Sequence, residues 1–218
     1  GAGGSRDGAN IPFEVPNDAI VTFVWDSTTH EMTIYVVGEG PTISGNIGIQ
    51  EAHWVSANTI AWRIDPVDGA DYALHYSLDG GISLGVDGID GGDSIALTYN
   101  PDGLSDDILA KFPQLSAYSA FTIADDDTAL VPDILRGQIV VSAKDADGNP
   151  LDATGLQIPG VLDDLYTYEG DLGLTFDVDS VPTLRVWAPT AQNVSLLLYA
   201  DSNPATASDE VEMTLDSE

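Results

Sequence analysis

Cysteine is missing from this sequence of 218 residues, and histidine and basic residues are scarce. Without cysteine the chain has no disulfides, no thiol nucleophile and no cysteine-ligated zinc. The three histidines, His30, His53 and His75, do not have the spacing of zinc ligands, so no metal site is predicted. No apolar run reaches the roughly 18–20 residues of a membrane helix, so no membrane span is expected. No signal peptide opens the segment, so any such signal would lie outside it.

Six basic residues stand against 36 acidic ones, which gives a net charge of −30. A field of this sign repels nucleic acid and anionic membranes, so neither is expected as a partner. Three explanations compete for the acidic excess: a halophilic, salt-adapted surface, calcium sites, or an acidic interaction tail. The acids are spread along the chain, which argues against a tail. We favour the salt-adapted surface.

Alternation of apolar and polar residues predicts strands through most of the chain. The segment 19–37 is a predicted hairpin, in which Val21, Phe23 and Trp25 share one strand face. A linker with Gly and Pro follows at 38–45. Beyond it, short strands recur about every 10 residues with turns between them, a spacing typical of an immunoglobulin-like β-sandwich.

Two short helical patches interrupt these strands. In the first, Ser105 is a predicted N-cap, the two aspartates after it suit the positive first turn, and Pro113 ends the helix. The second, 125–137, has a similar acidic start and Gly137 as its end. The fold class is therefore mostly β, with tandem sandwich modules and one or two short helices.

Candidate catalytic and calcium-binding residues are weak. The adjacent aspartates at 125–127 and 163–164 lack the facing geometry that paired glycosidase carboxylates need, so helix starts and solvated faces are favoured. The stretch "DADGN" at 145–149 departs from an EF-hand loop in its Gly position and closing Glu, so a hairpin turn is favoured. No nucleophile elbow or phosphate loop occurs. No catalytic residue is predicted.

Four tryptophans raise the question of carbohydrate binding, because sugars stack on exposed aromatic rings. Trp54 and Trp62 lie within strands, and we expect them in the core. Trp25 lies at a strand end beside a polar turn. It is the one candidate, a weak one, for a substrate-binding platform. Trp187 is expected to be a core anchor.

Several stretches resemble the amino-terminal region of pullulanases, the starch-debranching enzymes of the α-amylase superfamily. "LRVWAPTAQNVSLLLYAD" (184–201) resembles the start of their family-48 carbohydrate-binding-type module, and "GVLDDLYTYEGDLG" (160–173) resembles the segment that leads into it. "AHWVSANTIAWRI" with "YALHYSLDGGI" resembles the small β-sandwich before that module, and the leading residues resemble the end of another accessory β-module. The structural signature of the module consists of Trp187, Ala188, Pro189, Thr190 and Ala191.

The resemblance implies a secreted, extracellular parent enzyme that hydrolyses α-1,6-glucosidic bonds in pullulan and branched starch with a pair of carboxylates in a (β/α)₈ barrel. None of the barrel's catalytic motifs occurs in this chain, so whether the chain itself is an enzyme stays open. The implied partners are an α-glucan, through the parent enzyme, and the catalytic barrel, by packing within one polypeptide. No cofactor is implied for this segment; calcium is compatible with the parent enzyme, and no site for it is identified in this sequence.

Four segments are expected: the end of an accessory β-module at 1–37, a middle immunoglobulin-like sandwich at 38–151, a connection at 152–180, and the truncated start of a family-48-type module at 181–218. The favoured function is that of a non-catalytic segment of a pullulanase. The alternative is a stand-alone α-glucan-binding protein without catalysis, and that protein would carry complete modules.

Overall fold

The computed structural model describes residues 20–26, 31–37, 44–203, 205–206 and 208–215. The chain divides into two compact units, Gly1–Ser44 and Gly45–Glu218. In the first, β1 (Ile20–Asp26) and β2 (Glu31–Val37) form an antiparallel hairpin, as predicted. The Gly-rich opening, the turn of this hairpin and most of the predicted linker lie outside the described residues.

Seven strands of the second unit close into a barrel. Its order is β10-β11-β3-β4-β9-β8-β5, and the last strand pairs again with the first. The strands are β3 (Ala52–Ser56), β4 (Thr59–Trp62), β5 (Asp71–Ser77), β8 (Asp93–Asn100), β9 (Ser119–Ile123), β10 (Gln138–Lys144) and β11 (Pro150–Gln157). Two short strands, β6 (Ser83–Gly85) and β7 (Gly88–Asp90), form a separate hairpin.

The closure of the barrel depends on one short parallel pair. Leu156 and Gln157 of β11 lie beside Ala52 and His53 of β3, whereas the other neighbouring strands of the barrel are antiparallel. The mostly-β fold of the sandwich type is confirmed. Its strands form a continuous ring, and β11 continues past residue 151, where the sequence placed the start of a connection.

Large aromatic residues fill the barrel. Trp54, Trp62 and Phe121 have no exposed surface. The ring centroids of Trp62 and Phe121 are 5.9 Å apart, and those of Tyr72 and Phe121 are 4.7 Å apart. Offset and tilted contacts at these distances are favourable for aromatic pairs. The prediction that Trp54 and Trp62 belong to the core is confirmed.

In the part of the chain that the structure describes, three short α-helices and two 3-10 helices lie around the barrel. They are α1 (Asp106–Lys111), 3-10 helices at Pro113–Leu115 and Asp125–Leu130, α2 (Val131–Ile134) and α3 (Pro159–Leu165). The predicted cap is present, since the Ser105 hydroxyl accepts from the Ile108 amide at 3.4 Å. The second predicted patch is a 3-10 helix that runs into α2. None of the described helices is long and apolar enough to cross a membrane.

Helix α3 lies directly on β3, inside the stretch that the sequence assigned to a connection. Gly160 makes this approach possible, because a Cβ there would be 2.9 Å from both the Trp54 carbonyl oxygen and the Val55 Cα. The next residue, Val161, is completely buried against the core. The glycine therefore sets the distance between helix and strand.

Replacement of Gly160 by alanine is expected to destabilise the chain by about 1–3 kcal/mol, because the methyl group overlaps the β3 backbone. In a free helix the same change would stabilise by roughly 1 kcal/mol, so the sign itself is informative. Urea denaturation followed by far-UV circular dichroism measures the effect.

Gly85→Ala is the matched control. At this position the nearest atom to an added Cβ is the Gly88 carbonyl oxygen at 3.8 Å, and the change should stay within about 0.5 kcal/mol. Equal effects of the two substitutions would contradict the close approach of α3 to β3.

Two further sheets follow the barrel. One consists of β12 (Gly173–Phe176) and β13 (Pro182–Arg185), and the other of β14 (Ser195–Tyr199) and β15 (Ser208–Glu212). Each is an antiparallel pair. An isolated two-stranded sheet is marginally stable in water. These sheets therefore depend on packing against other parts of a protein.

Candidate interaction surface

The two acidic clusters lie in helical turns. Residues 125–127 form the start of a 3-10 helix, where negative charge is favourable. In α3, Asp164 Oδ2 accepts a hydrogen bond of 2.9 Å from the Ala57 amide and so ties this helix to the turn between β3 and β4. Within the described ranges, no group of three or more potential metal ligands is found.

The stretch at 145–149 is a hairpin turn between β10 and β11, as predicted. Asp145 Oδ1 accepts from the amides of Asp147 at 2.9 Å and Asn149 at 2.8 Å. Asp145 Oδ2 accepts from the Asn149 side-chain amide at 2.9 Å. The bonds from Asn149 lower the pKa of Asp145. The carboxylate is thus used to close a turn.

Two histidines contribute to the outer layer of the barrel. His75 Nε2 lies 2.8 Å from the hydroxyl of the buried Ser142 on the neighbouring strand. The ring of His53 meets the ring of Tyr118 edge-on, with centroids 5.4 Å apart. Burial lowers the pKa of both histidines, and the Lys144 ammonium lowers the pKa of His75 further. His30 lies outside the described residues.

The stability of the chain should therefore fall in mild acid. Folded His75 binds a proton less readily than unfolded histidine, so the unfolded state takes up protons first below about pH 6.5. Neutral His75 contributes fully to the free energy of unfolding above that pH. This contribution declines as the pH falls from there to the lowered pKa of folded His75. Urea denaturation measures the free energy of unfolding at about pH 7.5 and at about pH 5.5. The decrease in this free energy between the two pH values should be smaller for His75→Gln than for the unchanged chain.

His53→Gln is the comparison variant, because burial alone shifts the pKa of His53. It should reduce the acid-dependent loss less than His75→Gln does. A loss that is the same in all three proteins would show that neither histidine is responsible.

The two carboxyl-terminal sheets and the residues that flank their strands expose a large amount of apolar side chain. We call these residues, each between 46% and 62% exposed, the carboxyl-terminal apolar surface: Leu172, Leu174, Phe176, Val181, Val186, Leu197, Leu198, Tyr199 and Val211. These residues belong to two sheets and to both faces of β14, so the name covers several exposed apolar areas, and exposed apolar area of this kind marks interaction sites. It is the candidate functional surface of the chain.

Strand β14 is apolar on both of its faces. Side chains alternate between the faces of a strand, so Leu196 and Leu198 lie on one face and Leu197 and Tyr199 on the other. A strand with this pattern is typical of a sheet that is covered on both sides. Its partner β15 instead carries three acidic residues. Charged side chains of this kind protect a sheet edge against further pairing.

The five signature residues lie in the loop between β13 and β14. The loop contains a turn, in which the Ala191 amide donates to the Ala188 carbonyl oxygen at 3.0 Å. Residues 188–191 are half-buried, whereas Trp187 is 43% exposed. Trp187 is held at its indole N–H, which donates to the Tyr166 carbonyl oxygen at 3.0 Å. The expectation of a buried core anchor at Trp187 is therefore wrong for the chain as described.

Trp25 lies in β1, opposite Met32 of β2. Its side chain lies outside what the structure describes, so its assignment as a sugar platform stays a prediction. No signal in the sequence distinguished the exposed residues of β12–β15 from core residues, because both sets follow the same alternation.

The structure places the chain in the class of β-sandwich-type domains with few helices. The domain is followed by two small sheets that expose apolar residues. A sequence profile of the family described as the Pullulanase N2 domain matches residues 49–164, more than half of the chain. The chain belongs to this family. The resemblance to pullulanases is thereby confirmed.

Known pullulanases match a larger part of the chain. The chain is 40% identical to chloroplastic pullulanase 1 of Arabidopsis thaliana over 149 residues, which cover 68% of the chain and 15% of that protein. It is 36% identical to a Klebsiella pneumoniae pullulanase over 157 residues, 71% of the chain and 14% of the relative. A Klebsiella pneumoniae pullulanase complexed with maltotriose superposes with a TM-score of 0.68 at 31% identity, covering 79% of this chain and 16% of that one.

The apo pullulanase from Klebsiella pneumoniae gives a TM-score of 0.67 at 31% identity and covers 78% of this chain. The chain thus spans only about one seventh of the two curated relatives, 14% and 15% of their lengths. It is homologous to one part of a starch-debranching enzyme.

Proposed function

We propose that this chain is a non-catalytic amino-terminal segment of a secreted pullulanase whose catalytic barrel hydrolyses α-1,6-glucosidic bonds in pullulan and branched starch. The observation that carries the proposal is the family match at 49–164 together with the small share of each relative that the chain spans. The role of the segment is to support the enzyme, and the α-glucan is bound through the rest of the polypeptide.

The carboxyl-terminal apolar surface supports this role. Two marginal sheets with exposed Leu174, Phe176 and Tyr199 need a covering layer, and packing within one polypeptide supplies it. In the proposal, this layer comes from the rest of the carbohydrate-binding-type module and from the catalytic barrel.

Two measurements on the purified chain test the proposal. Incubation with pullulan should release no new reducing ends, and migration in a native gel should be the same with and without pullulan. An intact pullulanase is the positive control for the first measurement. Retarded migration would favour the alternative, a stand-alone α-glucan-binding protein, and release of reducing ends would contradict the non-catalytic role.

The coding sequence beyond residue 218 gives an independent test. It should encode a (β/α)₈ barrel. In the structure of that barrel, two carboxylates should lie about 5–5.5 Å apart, the separation found in a retaining glycosidase. A stop codon directly after Glu218 would contradict the proposal. Export is tested separately: an antibody against the barrel should detect the protein in the culture medium, and its retention inside cells would contradict secretion.

A further inference from the structure

Three backbone carbonyl groups meet the loop 186–194 at the surface of the barrel. They belong to Leu78, just after β5, to Arg136, just after α2, and to Tyr166, the C-cap residue of α3. The carbonyl groups at the ends of α2 and α3 lack a partner within their own helix, and the Leu78 carbonyl group lies beyond the last residue of β5. Such groups are acceptors for side chains that come from elsewhere.

The loop 186–194 supplies the donors. The Gln192 side-chain amide donates to the Leu78 carbonyl oxygen at 3.0 Å and to the Arg136 carbonyl oxygen at 3.1 Å. Both hydrogens of one amide group are thereby used. The Trp187 indole N–H donates to the Tyr166 carbonyl oxygen at 3.0 Å. Two side chains of one loop therefore contact the ends of three barrel elements.

Arg136 completes the contact in the opposite direction. Its Nη2 donates to the Gln192 carbonyl oxygen at 3.4 Å, so the two residues bind each other through side chain and backbone. Asp133 lies 3.7 Å from the Arg136 guanidinium and holds it from the other side. Reciprocal bonds of this kind fix an orientation more strictly than one contact does, because each restricts the rotation that the other permits.

We propose that Gln192 and Trp187 are positioning residues, which clip the loop 186–194 to the barrel and so fix the direction in which the sheets β12–β15 project. The partner of the clip is the set of three carbonyl groups on the chain's own barrel. On the proposed function, on which this biological meaning rests, the clip determines where the carboxyl-terminal apolar surface meets the remainder of the pullulanase.

The test measures the distance between barrel and sheets. Because the chain has no cysteine, Ser94→Cys on β8 and Glu210→Cys on β15 provide unique sites for two spin labels. Pulsed electron paramagnetic resonance should give one narrow distance distribution. Adding Gln192→Glu removes both amide donors and places a carboxylate against two carbonyl oxygens. The distribution should then become at least about twice as wide, because the loop loses both amide bonds and the new charge repels the two carbonyl oxygens.

Asn193→Asp is the matched control, because it adds the same charge one residue away from the clip. It should leave the distribution narrow. Trp187→Phe is the second variant, since it removes the indole donor while keeping an aromatic ring, and it should widen the distribution to a smaller extent. Far-UV circular dichroism verifies that each variant keeps its strands.

Narrow distributions in both Gln192→Glu and Trp187→Phe would overturn the clip. Equal widening by Asn193→Asp and Gln192→Glu would also overturn it, because charge alone would then explain the effect. These outcomes are independent of pullulan: retarded migration of the chain in a pullulan gel would contradict the proposed function and leave the distances unchanged.

Discussion

Truncation of Trp62 to alanine is expected to destabilise the barrel by about 3–5 kcal/mol, the largest effect of any single substitution proposed for this chain. Trp62 has no exposed surface, and its ring contacts those of Tyr72 and Phe121 at centroid distances of 6.4 and 5.9 Å. Removal of the indole leaves a cavity that the closed ring of strands cannot fill. Urea denaturation followed by far-UV circular dichroism measures the loss.

Trp62→Phe should cost much less. The Trp62 indole nitrogen is buried and has no hydrogen-bond partner among the described residues. Loss of the N–H therefore breaks no bond, and only packing changes. This variant keeps the prediction measurable if the alanine variant does not fold. Phe176→Ala is the exposed control, since Phe176 is 62% exposed, and it should change stability by no more than about 0.5 kcal/mol. Equal losses for Trp62→Ala and Phe176→Ala would refute the assignment of Trp62 to the core.

Potassium chloride is expected to raise the melting temperature of the chain by roughly 10 °C between about 0.1 and 1 M. The net charge is −30, with 36 acidic residues against six basic ones, and one of those basic residues, Arg136, forms an ion pair with Asp133. Because the acidic residues outnumber the basic ones six to one, most carboxylates repel one another without a compensating cation. The Debye length falls from about 10 Å to about 3 Å over this range, and each kcal/mol of relieved repulsion raises the melting temperature by about 2–4 °C.

The anion separates charge screening from other effects of salt. Chloride and sulfate at equal ionic strength should act alike if screening is the cause, whereas exclusion of sulfate from the protein surface would make sulfate far more effective. A melting temperature that is constant or falls with added chloride would contradict the salt-adapted surface.

The sequence predicted those parts of the fold that depend on neighbouring residues. Alternation identified the hairpin of β1 and β2, the cap at Ser105 followed from its side chain and the aspartates after it, and the turn at 145–149 followed from its Asp and Gly. In each case the stabilising contact joins residues that are close in sequence, so local chemistry is sufficient.

Contacts between distant residues were not predictable in this way. The parallel pairing of β3 with β11 joins residues about 100 positions apart, and nothing in either strand specifies it. Helix α3 was not predicted, because its first two residues are Pro159 and Gly160, a pair typical of loops. The bonds of Gln192 to Leu78 and Arg136 have no sequence signal, since a glutamine in a polar loop is unremarkable until the fold brings a carbonyl group near it.

The parallel pair that closes the barrel also decides where the polypeptide enters and leaves it. Ala52, at the start of β3, lies beside Leu156, near the end of β11. The roughly 100 residues between them thus form a loop that departs from and returns to a single point, a geometry that tolerates insertion and removal of a whole domain. The barrel therefore begins and ends at neighbouring positions, so an enzyme could gain or lose it in evolution by a single insertion or deletion.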